Sequence, residues 1–202
     1  MKWLASLPVY FGVILGLFLF HNAWAALLTF HLAILVSLLI AKPNIPIQTL
    51  LTGNSIKWTL LSVLVCGSTG FILYFFWDKF EIADDISADV LGMGLNQSNW
   101  MSFLAYFTLV NPFLEEYFWR GHLGSKFTSF SASDFLYAGF HGLILINKVQ
   151  TDMIVYSLAV LILAGWFWRQ IARTDGGLIA PVLGHMAADF SILAAVYLNL
   201  YK

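Results

Sequence analysis

The sequence predicts an all-α fold, a polytopic transmembrane helical bundle with about seven spans. Composition is the first reason: 60% of the 202 residues are hydrophobic and only 10% are charged, whereas a soluble domain has about 25% charged residues. The mean hydropathy is +0.80. The second reason is that apolar stretches of about 20 residues, the length that crosses a bilayer, follow one another along the chain. We therefore expect an integral membrane protein.

Seven apolar stretches are candidate spans. They cover residues 3–20, 23–41, 56–77, 100–122, 131–146, 151–170 and 177–201. Pro43 and Pro46 end the second stretch, because proline cannot continue a hydrogen-bonded helix. The first stretch could instead be a cleaved signal sequence, since Ala23-Trp24-Ala25 has the small-x-small form of a cleavage site. It is longer than the usual signal core of about 7 to 15 residues, and we expect it to be retained.

The chain is predicted to be a single membrane domain, 1–202. Three spans make up an N-terminal part, 1–78, and four make up a part that carries the candidate site, 100–202. Between them, 79–99 is predicted to be an acidic extracytoplasmic loop, with a short amphipathic helix as the alternative. The acids in and next to this segment are Asp78, Glu81, Asp84, Asp85 and Asp89, against Lys79 alone.

The distribution of basic residues predicts the orientation. Seven spans place Lys2, Lys42, Lys57, Lys126, Arg169 and Arg173 on one side and Lys79, Lys148 and Lys202 on the other. Because cytoplasmic loops carry an excess of Lys and Arg, the N-terminus is predicted to be cytoplasmic. The formal net charge of -1 gives no basic surface for nucleic acid. The single cysteine, Cys66, excludes an intramolecular disulfide and is expected to be a packing residue.

Ionisable residues inside the predicted spans are the candidates for function. A charged side chain at the centre of a membrane helix costs about 2.5 to 3.5 kcal/mol on insertion scales, so it is a functional candidate by default. The candidates are Glu115, Glu116 and Arg120 in the fourth span, His141 in the fifth, and His185 and Asp189 in the seventh. At about 1.5 Å of rise per residue, those of all three spans lie at a similar depth, roughly 12 to 15 Å from one end.

The spacing within the spans predicts a reaction chemistry. Glu116 and Arg120, four residues apart, share a helix face and can form an ion pair. Glu115 points about 100° away from that face. We expect Glu115 and His141 to hold a water molecule that is polarised for attack on a carbonyl carbon.

Polar residues of the seventh span are expected to stabilise the negative charge that develops on the carbonyl oxygen during the reaction. His185 and Asp189 are also four residues apart and present an imidazole and a carboxyl group together. Both could donate hydrogen bonds to an oxyanion, provided that Asp189 is protonated. Histidines in membrane bundles also serve as structural contacts between helices. His31 has no carboxylate near it in sequence and is expected to be such an ordinary residue.

These residues carry a resemblance to a known family. Glu115-Glu116-x-x-x-Arg120, Tyr137-x-x-x-His141 and His185-x-x-x-Asp189 resemble the EExxxR, FxxxH and HxxxN/D motifs of the CAAX protease and bacteriocin-processing family, also called the CPBP or Abi family. The resemblance spans roughly 111–190. Tyr137 stands where the family commonly has Phe, and Asp189 replaces the Asn of the prenyl-protein protease branch.

The resemblance implies an intramembrane glutamic endopeptidase that needs no metal or other cofactor. It makes Glu115 and His141 the residues that activate water, and it places His185 and Asp189 near the oxyanion. The implied partners are the lipid bilayer and a membrane-anchored protein or peptide substrate, and the implied location is the bacterial cytoplasmic membrane. No oligomeric state is predicted.

Three alternatives remain open from the sequence. Glu116 and Arg120, for which the resemblance implies a role in holding the site's geometry, could equally be a purely structural ion pair. Glu115, His141 and His185 have the composition of a catalytic zinc site with two histidines and a carboxylate. A non-catalytic membrane protein, for bacteriocin immunity, scaffolding or proton-coupled transport, could use the same buried acids.

Overall fold

The computed structural model describes residues 2–53 and 55–202, in which eight α-helices are found. They are α1 (Ser6–Ile14), α2 (Ala23–Ala41), α3 (Ile56–Phe75), α4 (Ile86–Gly92), α5 (Trp100–Glu116), α6 (Ala132–Leu145), α7 (Thr151–Asp175) and α8 (Ile179–Leu200). These described residues form no β-strand, only an isolated bridge between Ile82 and Val149. The predicted all-α class is confirmed.

Two helices continue beyond their α-helical part as π-helical turns. Helix α1 follows a 3₁₀ turn, Lys2–Ala5, and continues through Leu15–Leu19. Helix α5 continues through Tyr117–His122, so the whole element covers the predicted span 100–122. Single π-helical turns inside helices are often found at functional sites. The π-helical turn of α5 begins directly after the candidate acids Glu115 and Glu116.

Five helical segments are long and apolar enough to cross a membrane. They are Lys2–Leu19, Ala23–Ala41, Ile56–Phe75, Thr151–Asp175 and Ile179–Leu200. The protein is an integral membrane protein. Helix α6 has only 14 residues, about 21 Å at 1.5 Å per residue, against a hydrocarbon layer of about 30 Å. The exact count of seven spans therefore stays a prediction.

Local sequence explains where α2 begins and ends. The side chain of Asn22 caps the helix by accepting a hydrogen bond of 2.9 Å from the backbone N–H of Ala25. At the other end Lys42 adopts a left-handed conformation, with φ of 46°, and Pro43 follows it. A proline just after a left-handed residue is a usual way to end a helix.

The acidic segment contains the short helix that the sequence offered as the alternative to an irregular loop. Helix α4 lies within it, and its end packs against the hydrophobic core. Val90, Met93 and Leu95 are buried against Trp100 and Phe103 of α5. This part of the segment is therefore a packed cover over the end of α5, and the interpretation as a wholly solvated loop was wrong for it.

The ends of the helices meet at two opposite faces of the bundle. On one face, the ammonium group of Lys2 donates to the carbonyl oxygen of Gly124 at 2.8 Å. On the other face, Lys148 forms an ion pair of 2.6 Å with Asp89. Each contact joins segments that were predicted to lie on the same side of the membrane.

Helices α3 and α8 run parallel and touch closely through glycines. A Cβ atom added at Gly70 would lie 2.1 Å from the carbonyl carbon of Ser191. One added at Gly184 would lie 1.8 Å from the hydroxyl oxygen of Ser62. Small residues that let helix backbones approach are typical of membrane bundles. This contact fixes α8, which carries two of the candidate site residues.

Arg169 and Asp134 form a buried ion pair that the sequence analysis did not predict. Two Arg169 nitrogens lie 2.9 and 2.6 Å from the two carboxylate oxygens. The guanidinium also donates to the carbonyl oxygens of Phe127 and Ser129, at 2.5 and 2.7 Å. Arg169 was counted above among the basic residues of one face; its partners Phe127 and Ser129 follow Lys126 of that same face, and its side chain is only 2% exposed.

The main hydrophobic core surrounds the candidate acids. It contains the buried aromatic residues Phe118, Trp119, Tyr137, Phe140 and Trp168. Cys66 is part of the same core and is 6% exposed, which confirms that it is a packing residue.

The α3–α8 contact gives a test of the packing. We expect Gly70→Ala to lower the free energy of unfolding by about 1 to 3 kcal/mol, because the added methyl group meets backbone that cannot move aside. Gly67→Ala on the same helix is the control, since its Cβ would meet only the Ala187 methyl group at 3.4 Å, an ordinary contact. Unfolding in mixed micelles measures both. Equal stability of the two variants would contradict this description of the interface.

Candidate active site

The carboxylates and the imidazole of two helices meet in the interior of the bundle. Glu115 and Glu116 lie at the end of α5, and His185 and Asp189 lie on α8. Glu115 is 2% exposed, Glu116 0% and His185 2%. Buried charges are tolerated only when they are paired or hydrogen-bonded, so the contacts of each group indicate how the site is held.

His185 lies between three carboxylates. Its Nδ1 is 2.8 Å from Oε1 of Glu116. Since a carboxylate only accepts, the Nδ1–H group donates this hydrogen bond. Its Nε2 lies 3.5 Å from Oδ1 of Asp189 and 4.0 Å from Oε1 of Glu115. The imidazole is therefore fixed at one nitrogen and faces two further acids at the other.

Glu116 and Arg120 form the ion pair expected from their spacing. Nη1 of Arg120 lies 2.9 Å from Oε1 of Glu116, and both side chains are almost completely buried. The guanidinium also lies over two aromatic rings, 3.9 Å from the centre of Tyr137 and 4.9 Å from that of Trp168. Such cation–π contacts stabilise a desolvated guanidinium. The charge of Glu116 is thus directly compensated.

Glu115 is held by neutral donors instead. The indole Nε1 of Trp119 donates to its Oε2 at 3.1 Å, and the amide Nδ2 of Asn111 donates to its Oε1 at 2.9 Å. The same amide nitrogen lies 3.2 Å from Oδ2 of Asp189. The sequence analysis missed both donors. They are four residues before and four residues after Glu115, so the helical period could have identified them.

His31 makes a contact between helices, as expected for an ordinary histidine of a membrane bundle, but its partner Asn111 also bonds to the candidate acids. Its Nε2 lies 3.0 Å from Oδ1 of Asn111, and its Nδ1 lies 3.2 Å from the hydroxyl group of Tyr106. The ring is 3% exposed. No local pattern could have predicted this, because His31 and Asn111 are 80 residues apart in the chain.

His141 approaches the site from α6. Its Nδ1 lies 2.9 Å from the carbonyl oxygen of Tyr137. A carbonyl only accepts, so Nδ1 carries a proton, and in the neutral ring Nε2 keeps its lone pair. The Tyr137 ring packs against both imidazoles, with its centre 4.9 Å from that of His141 and 6.1 Å from that of His185.

The structure does not bring His141 into direct contact with Glu115. Among residues 2–53 and 55–202, no carboxylate oxygen lies within 4.0 Å of a ring nitrogen of His141. The predicted pairing of the two through a water molecule stays a prediction. The same holds for the roles of His185 and Asp189 at an oxyanion.

The donor set expected for a zinc ion is not assembled. In the described part of the chain, no three His, Cys, Asp or Glu side chains are arranged so that they could hold one metal ion. Glu115 and His185 approach each other to 4.0 Å, but among the described residues no carboxylate oxygen lies within 4.0 Å of a ring nitrogen of His141. The residues present therefore do not fit the metal alternative.

Comparison with known proteins agrees with the motifs. Residues 97–191 match a family model described as type II CAAX prenyl endopeptidase, Rce1-like. This segment is Rce1-like. It contains all three motifs and confirms the resemblance to the CAAX protease family, although it covers just under half of the chain. Neither curated proteins nor solved structures gave a significant match.

The Rce1-like segment does not contain the whole site. It includes α5, α6 and the first part of α8, with their acids and histidines. Helix α2, which carries His31, lies outside it. The contact of His31 with Asn111 therefore joins the N-terminal part of the protein to the Rce1-like segment.

The buried ion pair gives a stability test. We expect Arg120→Leu to lower the free energy of unfolding by about 3 to 5 kcal/mol, because it leaves the Glu116 carboxylate buried without its charge partner. Arg173→Leu is the matched control, since Arg173 is exposed and bonds only to Gln170. Its cost should be within about 0.5 kcal/mol. Denaturation of the purified variants measures the difference, and a similar small effect for both would show that the pair contributes little.

Proposed function

We propose that the protein is an intramembrane endopeptidase. It hydrolyses a peptide bond of a membrane-associated protein or peptide, using water activated by Glu115 and His141. The observation that carries this proposal is that the two adjacent acids have different bonding partners. Glu116 pairs with Arg120 at 2.9 Å, while Glu115 is oriented by the neutral donors Asn111 and Trp119, with Nε2 of His185 only at 4.0 Å.

The environment of Glu115 suits a general base. Two neutral donors fix the direction of the carboxylate and still leave it lone pairs with which to accept a proton. The carboxylate is buried at the level of the imidazoles, where little bulk water competes with a bound one. A positioned base of this kind contributes about 10² to 10⁴-fold to the rate of a proton transfer reaction.

His141 supplies a second acceptor. With Nδ1–H bonded to the Tyr137 carbonyl group, its Nε2 is the nitrogen that can accept a hydrogen bond from water. In the proposed reaction the water oxygen attacks the carbonyl carbon of the scissile bond, and its proton passes to Glu115. The C–N bond then breaks, and the proton goes to the leaving nitrogen. The products are a carboxylic acid and an amine.

His185 is proposed to stabilise the oxyanion. Its Nδ1 is anchored by Glu116, so the direction of Nε2 is fixed. Three carboxylates and one guanidinium surround the ring, and a protonated His185 reduces this excess of negative charge. Its Nε2–H group can then donate to an oxygen that gains charge in the reaction. Asp189, with Oδ1 3.5 Å from Nε2, would donate a second hydrogen bond to that oxygen in its protonated form.

The family description suggests a first substrate to test. A type II CAAX prenyl endopeptidase family is named for prenylated proteins with a C-terminal CAAX sequence, so a farnesylated CAAX peptide is a suitable probe. We also propose a bacterial cytoplasmic membrane location with a cytoplasmic N-terminus. Six basic residues on one face against three on the other support this orientation.

Substitution of the activating residues tests the mechanism. In proteoliposomes with a farnesylated CAAX peptide, we expect Glu115→Gln and His141→Ala each to lower kcat by about 10²-fold or more, because each removes an acceptor for the water proton. Glu81→Gln is the control, as Glu81 is an exposed acid in the segment between α3 and α5. Cleavage by well-folded Glu115→Gln at the parent rate would overturn the mechanism.

A second readout covers substrates other than the probe. N-terminal and C-terminal peptides of membrane proteins are compared by mass spectrometry between cells with the parent protein and cells with Glu115→Gln. We expect cleavage products that are present only with the parent protein. A phenotype that depends on the protein, with no such product and no cleavage of the peptide, would favour the non-catalytic alternative.

Metal dependence separates the glutamate mechanism from a zinc mechanism. We expect a zinc chelator to leave the cleavage rate unchanged, because the described histidines and acids form no metal-binding group. Elemental analysis of the active, purified protein accompanies this assay. Stoichiometric zinc together with loss of activity on chelation would instead establish the metal mechanism.

A further inference from the structure

We propose that His31 is a positioning residue that acts through Asn111 to orient Glu115 and Asp189. The inference rests on the proposed endopeptidase function and extends the functional unit beyond the Rce1-like segment. Its basis is a continuous set of buried hydrogen bonds, which runs from α2 through α5 to α8.

The side-chain amide of Asn111 makes three hydrogen bonds. A side-chain amide has two N–H donors and one carbonyl oxygen. The nitrogen serves Oε1 of Glu115 at 2.9 Å and Oδ2 of Asp189 at 3.2 Å. The oxygen lies 3.0 Å from Nε2 of His31. One amide therefore holds two acids that belong to different helices.

The direction of each hydrogen bond follows from the acids. Carboxylates only accept, so the nitrogen of Asn111 must face them and its oxygen must face His31. Nε2 of His31 must then carry the proton, which leaves Nδ1 to accept from the hydroxyl group of Tyr106 at 3.2 Å. Each hydrogen bond between Tyr106, His31, Asn111 and the two acids therefore has one defined donor atom.

The two acids exclude the opposite orientation of the amide, and His31 holds the amide in place from its oxygen side. Rotated by 180°, Asn111 would present its oxygen to two carboxylates, an arrangement with repulsion and no hydrogen bond. His31 and Asn111 are 3% and 1% exposed, so bulk water cannot replace the imidazole as donor. Without His31, the amide oxygen is left without its partner, and such a buried group drives rearrangement.

A small displacement of Glu115 is expected to slow the reaction. A misplacement of about 1 Å at a reacting group can cost about 10²-fold in rate. Since His31 does not reach Glu115 itself, the effect should fall on kcat and leave KM for the substrate unchanged. This split distinguishes a positioning role from a general loss of folding.

The experiment is a double-mutant cycle in proteoliposomes. We expect His31→Leu to lower kcat by about tenfold or more, and to have less than about a twofold further effect in an Asn111→Ala background, because its action passes through Asn111. Thr29→Val is the matched control on α2: it removes a hydrogen bond to the Gly12 carbonyl group, away from the site. Its kcat should equal that of the parent.

Two outcomes of the cycle would overturn the inference. One is an effect of His31→Leu on kcat that is as large with Asn111→Ala as without it. The other is an equal loss of kcat with Thr29→Val, which would show that any weakening of α2 has this effect.

A spectroscopic measurement tests the same bridge without any turnover. In ¹⁵N-histidine-labelled protein, we expect the His31 ring to carry its proton on Nε2 alone and to populate both tautomers in Asn111→Ala. A proton on Nδ1 in the parent protein would refute the bridge. Absence of proteolysis with this tautomer intact would instead refute the proposed function, so the two failures are distinguishable.

Discussion

The Oε1 atom of Glu116 is the point on which the arrangement of the site depends. It accepts from Arg120 at 2.9 Å and from His185 at 2.8 Å, and so ties the end of α5 to α8. In an environment without bulk water, the loss of any one member leaves another charge uncompensated. Hydrophobic packing brings the helices together, but this shared oxygen sets their rotation. The adjacent Glu115 makes no contact with Arg120, whose ion pair is with Glu116.

Much of the fold and part of the site could be predicted from the sequence. Apolar stretches gave the helices with small errors at their ends, because hydropathy reports which residues avoid water. The four-residue spacing gave the pairing of Glu116 with Arg120, since helical geometry makes such neighbours unavoidable. Predictions of this kind need only the local period of the helix.

What could not be predicted depends on contacts between distant segments. Arg169 has the same place in a hydropathy pattern whether it faces lipid headgroups or a buried partner such as Asp134. The link from His31 to Asn111 depends on how α2 packs against α5, which no pattern within either helix specifies. The π-helical turn after Glu116 arises from packing and has no signature in the residues that form it.

The place of His31 outside the Rce1-like segment has a consequence for protein engineering. Transplanting only the three motif-bearing helices into another scaffold would reproduce the acids and the imidazoles but would lose the donor to Asn111. A chimera would have to include α2, or provide a substitute at the same depth, before its borrowed chemistry could be judged. If His31 acts as proposed, the smallest part of the protein that could be transferred includes α2 and is therefore longer than the matched segment.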